Sequence, residues 1–212
     1  MPRPDFNLYL VTDRKLTGGR ELVDVVAQAL AGGVKAVQLR EKDLGGGELF
    51  QLAKRLKDVC ARHRARLFIN DRVDVALAVD ADGVQLGGAS MPVGAARSLL
   101  GEAKFIGASI HTLEEARDAE RAGADFLLFG PVYFTPSKAA YGAPQGLKRL
   151  KEVVEKISIP VYAIGGISAD NVETIGETGA RGVALISAII AAPDPAAAAQ
   201  AVLQRLKTKP SE

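Results

Sequence analysis

The chain has 212 residues, 48% hydrophobic and 25% charged, with a formal net charge of +2. That balance supports a full apolar core and a solvated surface, in one large domain or two small ones. Near-neutral charge, 5% aromatic residues and no tryptophan exclude a basic or stacking platform for nucleic acid.

From the amino end, Arg3 and Asp5 precede only a short apolar run, so no signal peptide is expected. Leu8 to Val11 reads as a first strand. Leu22, Val25, Val26, Ala29 and Leu30 then form one apolar helical stripe. Ala31-Gly32-Gly33 precedes a second strand, Ala36-Val37-Gln38-Leu39. The helix from Leu49 to His63 carries the single cysteine, Cys60, which excludes an internal disulfide and suits a reducing cytosol. At that position Cys60 is a buried small hydrophobe rather than a nucleophile. Two histidines, His63 and His111, without a Cys/His cluster argue against zinc.

Leu67 to Ile69 is the third strand. Asp80-Ala81-Asp82-Gly83 precedes the fourth, Val84-Gln85-Leu86, and Phe105 to Ala108 is the fifth. Thr112-Leu113-Glu114-Glu115 opens a helix as a capping box. Ala122-Gly123-Ala124-Asp125 leads into Phe126 to Phe129, and Val161 to Ile164 follows later. A helix over Ser168 to Thr178 comes after Gly165-Gly166. Thr178-Gly179-Ala180-Arg181-Gly182 precedes Val183 to Ile186, and alanine-rich Pro195 to Lys207 closes the chain. Glycine after a helix is the left-handed C-cap signal. Short, continuous apolar runs read as strands buried on both faces, hence parallel. Eight such strands alternating with helices predict a single α/β domain over 1–212, a compact (β/α)8 TIM barrel. A doubly wound open sheet is the runner-up. Residues 209–212 are expected to fray, and no apolar stretch is long enough to span a bilayer.

A barrel of this kind places its site where strands end at their carboxyl side. Strand alternation sends Gln38, Arg40 and Lys42 to one side there, and Leu39 and Glu41 to the other. An amide, a guanidinium fork and an ammonium then suit an anionic ligand with a hydrogen-bonding ring, unless the stretch is a solvated charged loop. Asn70 and Asp71 follow the third strand: Asn70 can orient a ligand and Asp71 can hold a cation, or the pair caps a helix. Ser109 and His111 follow the fifth, where His111 is also readable as a polar residue near the next cap. The longest loop, Gly130 to Gly146, offers Thr135, Ser137 and Lys138; it is either functional or a proline-stiffened surface loop. Gly165, Gly166, Ser187 and Ala188 follow the last two strands, the common phosphate corner of these barrels. No GxGxxG or Walker loop is present.

Together these loops resemble the thiamine phosphate synthases and the related thiazole tautomerases, from Leu8-Tyr9-Leu10-Val11-Thr12-Asp13-Arg14 to Ile186-Ser187-Ala188-Ile189. The most specific parts are Gln38–Asp43 (QLREKD), Asn70–Ala78 (NDRVDVALA), Gly130–Lys138 (GPVYFTPSK) and Ala163–Ile167 (AIGGI). The resemblance implies a cytoplasmic transferase that joins hydroxymethylpyrimidine diphosphate to thiazole phosphate, releasing diphosphate with magnesium. It implies that Gln38, Arg40, Lys42 and Asn70 hold the pyrimidine substrate and that Asp71 binds the metal. Ser109, Thr135, Ser137 and Lys138 would line the space between substrates, and Gly166, Ile186 and Ser187 would cradle the thiazole phosphate. Arg40, Lys42, Ser109 and Lys138 are the catalytic candidates.

One departure stands out. The synthase pattern has two acids after the fourth strand, the second a magnesium ligand; here Ala89 and Ser90 stand there. The tautomerase, an isomerase, lacks that acid too, but carries a histidine where this chain has Pro131. Gln38, Arg40, Lys42 and Asp71 favour the synthase, and Ser90 the tautomerase. The expectation is the synthase, with the tautomerase as alternative and a non-catalytic thiamine-precursor binder as a third reading. The partners expected are small phosphorylated pyrimidine and thiazole compounds, with no nucleic acid and no membrane; a homo-oligomer is left open.

Overall fold

The computed structural model describes residues 4–135 and 143–206. Eight parallel strands close into a barrel in sequence order. They are β1 (Leu8–Val11), β2 (Ala36–Leu39), β3 (Arg66–Asn70), β4 (Gly83–Leu86), β5 (Phe105–Ile110), β6 (Phe126–Phe129), β7 (Val161–Ile164) and β8 (Gly182–Leu185). The helices around them are α1 (Leu22–Ala31), α2 (Gly46–Arg62), α3 (Val73–Ala78), α4 (Val93–Leu100), α5 (Leu113–Arg121), α6 (Gly146–Lys156), α7 (Val172–Gly176), α8 (Ser187–Ile190) and α9 (Pro195–Arg205). β8 returns to β1 through Tyr9 opposite Ala184, so the sheet has no edge and the open-sheet alternative is excluded.

The apolar strand runs are buried on both faces, as their lack of alternation requires. Outward residues such as Leu10, Val37, Leu67 and Ile69 pack with the helices, where Val26, Leu56 and Cys60 complete the outer core. Inward residues form a second cluster that includes six aromatics: Phe6, Tyr9, Phe68, Phe105, Phe126 and Tyr162. Phe6 stacks on Tyr162 at 4.9 Å, and Phe68 meets Phe126 edge-on at 5.4 Å. Small residues make room for these rings. A Cβ on Gly107 would lie 2.5 Å from the Phe126 ring. Along β2, β3 and β5, a small or aromatic inward residue comes first and a polar one follows: Ala36 then Gln38, Phe68 then Asn70, Phe105 and Gly107 then Ser109. The rings thereby make an apolar floor, and the polar groups stand above it at the carboxyl ends.

Three local expectations change. Gly83 is not a C-cap but the first residue of β4, pressed against Phe105; Asp80 takes the left-handed turn instead, at φ 51°. Thr112 accepts from the Glu115 N–H at 3.1 Å, but the Glu115 carboxylate bonds the His111 N–H at 2.6 Å, so the capping box closes one residue early. The helix expected from Ser168 starts only at Val172, because Asn171 folds back: its Oδ1 accepts from Ser168 N–H and its Nδ2 donates to Gly166 O. Lys207 and residues 209–212 lie outside the described residues. Among those described, no helix is long and apolar enough to cross a membrane.

Candidate active site

β2 carries Gln38 into the barrel at 2% exposure, beside the Tyr9 hydroxyl but short of a full hydrogen bond to it. Burial holds the Tyr9 phenol well above its usual range, so it stays neutral. Arg40 follows half-buried at the strand's end, and Lys42 is exposed beyond it. A cleft of about 240 Å³ opens there, between the ends of β2 and β3. Glu41, Lys42, Asn70, Asp71 and Arg72 line it together with Leu39, Leu44 and Leu49, while Gln38 and Arg40 lie outside its lining. Of the expected site residues, Lys42, Asn70 and Asp71 share this cleft.

Asn70 and Asp71 do not cap α3, whose N-cap is Arg72 without a side-chain bond. Asp71 instead sits at φ 62°, in the left-handed region, with its carboxylate bonded to Asn70 and Ser90. Asn70 Nδ2 donates to Asp71 Oδ2 at 2.8 Å, and Ser90 Oγ donates to Asp71 Oδ1. Ser90 Oγ in turn accepts from the Gly87 N–H at 2.6 Å, which fixes the loop after β4.

Ser109, at the end of β5, accepts from Gln85 Nε2 at 3.1 Å. Gln85 is 1% exposed, and its Oε1 has no hydrogen-bond partner among the described residues. His111 Nδ1 meets the Gly130 carbonyl, linking the ends of β5 and β6. Beyond β6, Phe134 is 66% exposed and Thr135 half-buried. Ser137 and Lys138 lie outside the described residues.

Pro131 to Phe134, just after β6, run directly over Gly165 and Gly166, at φ 99° and 66°. A Cβ on Gly166 would lie 2.5 Å from Phe134 O and 2.7 Å from Tyr133 Cβ, so glycine is required on both counts. Ile186, next to the interior cluster, is the N-cap of α8, and Ser187 is its first residue. The first N–H groups of a helix have no partner inside it, so Ser187 and Ala188 present donors at this corner.

Since the strands close in order, β3 stands opposite β7 across the barrel mouth. Gln38, Lys42, Asn70, Asp71 and Ser90 therefore gather on one side, Gly166, Ile186 and Ser187 on the other, and Ser109 stands between them.

A profile of the family described as Thiamine monophosphate synthase matches residues 8–189. The chain belongs to the thiamine monophosphate synthase family. The thiamine-phosphate synthase of Syntrophomonas wolfei is 50% identical over 194 residues, covering 92% of this chain and 93% of that protein. The thiamine-phosphate synthase of Desulfitobacterium hafniense (strain Y51) is 45% identical over 199 residues, covering 94% of this chain and 96% of that one. The solved structure of a thiamine phosphate pyrophosphorylase from Pyrococcus furiosus superposes with a TM-score of 0.87 at 42% identity, over 95% of each chain.

Within this family frame, three polar residues escaped the sequence reading. Gln85 repeats the Val-Gln-Leu pattern of Gln38, and that repetition was the available signal. Thr12 and Glu41 form a buried pair at 2.7 Å, and Arg14 adds its backbone N–H and guanidinium to Glu41 at 3.1 and 3.2 Å. Nothing local marks that pairing. Nearby, the Arg14 guanidinium and then the Lys15 ammonium hold the Asp43 carboxyl below the usual carboxylate range. Among the described residues no group of three His, Cys, Asp or Glu gathers as it would for a metal cage. The donors at the β3–β4 corner are one carboxylate, Asp71, and one hydroxyl, Ser90. Magnesium commonly binds through one or two carboxylates completed by substrate phosphates and water, so this set fits a magnesium ion shared with a diphosphate.

Proposed function

We propose that this chain is a thiamine phosphate synthase, an enzyme that couples hydroxymethylpyrimidine diphosphate with thiazole phosphate. The observation that carries the proposal is the division of the barrel mouth. Lys42, Asn70 and Asp71, beyond β2 and β3, stand across the strand order from the glycine and helix-end corner at β7–β8. Two anionic substrates seated on opposite sides would meet above the aromatic floor, which lowers the entropic cost of a two-substrate reaction.

In the coupling, the thiazole nitrogen lone pair forms a new bond to the pyrimidine methylene carbon. The carbon–oxygen bond to diphosphate breaks, and the diphosphate leaves with that electron pair. Gln38 would hydrogen-bond the pyrimidine ring, with Asn70 beside it. Arg40 and Lys42 would take up the charge of the departing diphosphate, the main electrostatic demand of the step. Ser109, Thr135, Ser137 and Lys138 would face the space between the substrates. Gly166, Ile186 and Ser187 would hold the thiazole phosphate through backbone donors. Asp71 would hold magnesium with the diphosphate, and Ser90 would contribute a hydroxyl. When bound, that ion supplies further neutralisation of the leaving group. No covalent nucleophile is needed, which agrees with Cys60 lying in the outer core with its thiol pushed up to about 12 by burial. One buried cysteine also agrees with a cytosolic setting.

Ser90 is the specific feature that favours a second reading, the tautomerase, which needs no metal-assisted departure. The test is to supply purified protein with both substrates and magnesium, beside a separate tautomerisation assay on thiazole carboxylate phosphate. Formation of thiamine phosphate, lost in Arg40→Ala, supports the synthase. Tautomerisation without coupling supports the alternative.

A further inference from the structure

We infer that Thr12 and Glu41 are positioning residues that set the diphosphate-binding arm of the site, an inference that rests on the proposed function. The β1–β2 ladder ends with Thr12 N–H donating to Gln38 O at 2.9 Å. The next rung is made by a side chain: the Thr12 hydroxyl takes the Arg40 N–H in place of a main-chain carbonyl. Thr12 Oγ1 accepts from the Arg40 N–H at 2.9 Å and donates its single proton to Glu41 Oε1 at 2.7 Å. Glu41 also accepts from the Arg14 N–H at 3.1 Å and from Arg14 Nη1 at 3.2 Å. Arg14 is itself tied to Asp43 at 2.6 Å.

The result is a closed loop: Arg40, Thr12, Glu41, Arg14 and Asp43. It fixes both flanks of Lys42 and the backbone of Arg40 without engaging either cationic side chain. Glu41 is 6% exposed and Thr12 0%. A carboxylate taken out of water beside two cations that must receive an anion would compete with that anion if it faced them. Here its oxygens face Thr12 and Arg14, so its charge is matched within the frame. The hydroxyl is the essential link because only a group that both accepts and donates joins the Arg40 amide to the carboxylate. Arg40 and Lys42 are thus presented on a braced turn rather than a free loop, which reduces the ordering cost of gripping a diphosphate.

The test uses the whole chain as Thr12→Val, Thr12→Ser and Glu41→Gln, with inorganic diphosphate and inorganic phosphate as calorimetric probes. Thr12→Val is expected to weaken diphosphate binding at least tenfold, with phosphate binding within twofold of wild type. Amide exchange over Arg40 to Asp43 should quicken, and Thr12→Ser should restore both. Glu41→Gln should fall between. Melting temperatures identify any variant that fails to fold, and Thr12→Ser keeps the chain closest to native. Diphosphate affinity within twofold of wild type in folded Thr12→Val and Glu41→Gln overturns the inference. So does an equal loss for both probes. Coupling by the wild type is measured separately, so absence of turnover counts against the proposed function while the diphosphate comparison still decides this point.

Discussion

Ser90 donates its hydroxyl hydrogen bond to the Asp71 carboxylate, and Asn70 takes the other Asp71 oxygen at 2.8 Å. Both oxygens of the Asp71 carboxylate are therefore engaged by neutral donors before any cation arrives. A cation must displace one of them or share its lone pairs. Ser90→Asp replaces a donor by a second carboxylate. Repulsion from Asp71 would be relieved by the ion itself. The expected outcome is tighter binding of Mn2+, read by electron paramagnetic resonance on the free protein, and a lower magnesium requirement for coupling. Unchanged Mn2+ binding would place the metal elsewhere.

Gly166 sits at φ 66° under Phe134 O. Ala there pays about 1–2 kcal/mol for the left-handed backbone and must also push Tyr133 and Phe134 aside. Gly166→Ala is expected to raise KM for thiazole phosphate about tenfold, the equivalent of ~1.4 kcal/mol. KM for the pyrimidine substrate should stay within twofold. Equal changes in both constants would argue that this corner does not hold the thiazole phosphate.

Gln85 bonds Ser109 through Nε2 while its Oε1 has no partner among the described residues. A buried acceptor without a partner costs about 1–3 kcal/mol, so Gln85→Leu should leave stability unchanged or raise it slightly. Losing the bond frees Ser109, and kcat should fall. Urea melts and steady-state kinetics on one preparation check both halves. A large loss of stability would mean that Gln85 is chiefly structural.

Cys60 is fully buried, and desolvation, then the nearby Asp82 charge, push its thiol from 9.0 to about 12. The folded pKa is raised, so the associated stability is fully present below pH about 9. It is lost as pH rises from about 9 toward 12, where the unfolded chain already holds a thiolate. Iodoacetamide at pH 8 should label Cys60 only at the rate of unfolding, and Cys60→Ser should leave kinetics unchanged. Rapid labelling of the native protein would contradict the burial.

The barrel was legible because its strands are apolar on both faces and separated by turn residues. That pattern survives even where one detail fails, as with Gly83 entering β4 rather than ending a helix. Lys42, Asn70 and Asp71 were legible because a charge or an amide at a strand's carboxyl end stands out against apolar runs. Ser90 was legible as a departure, but not its bond to Asp71, which depends on β3 and β4 being neighbours. Thr12 and Glu41 were hidden for the same reason. Their contact spans 29 residues and exists only in the β1–β2 register. Gln85 was hidden because no charged loop follows it to draw notice.

Phosphorus NMR decides whether this chain joins two phosphorylated substrates. Purified protein is mixed with hydroxymethylpyrimidine diphosphate, thiazole phosphate and saturating magnesium. Free diphosphate and thiamine phosphate should appear in equal amounts, and neither should form when thiazole phosphate is left out. No thiamine phosphate under these conditions, from a folded protein that still binds both substrates, would contradict the proposed coupling.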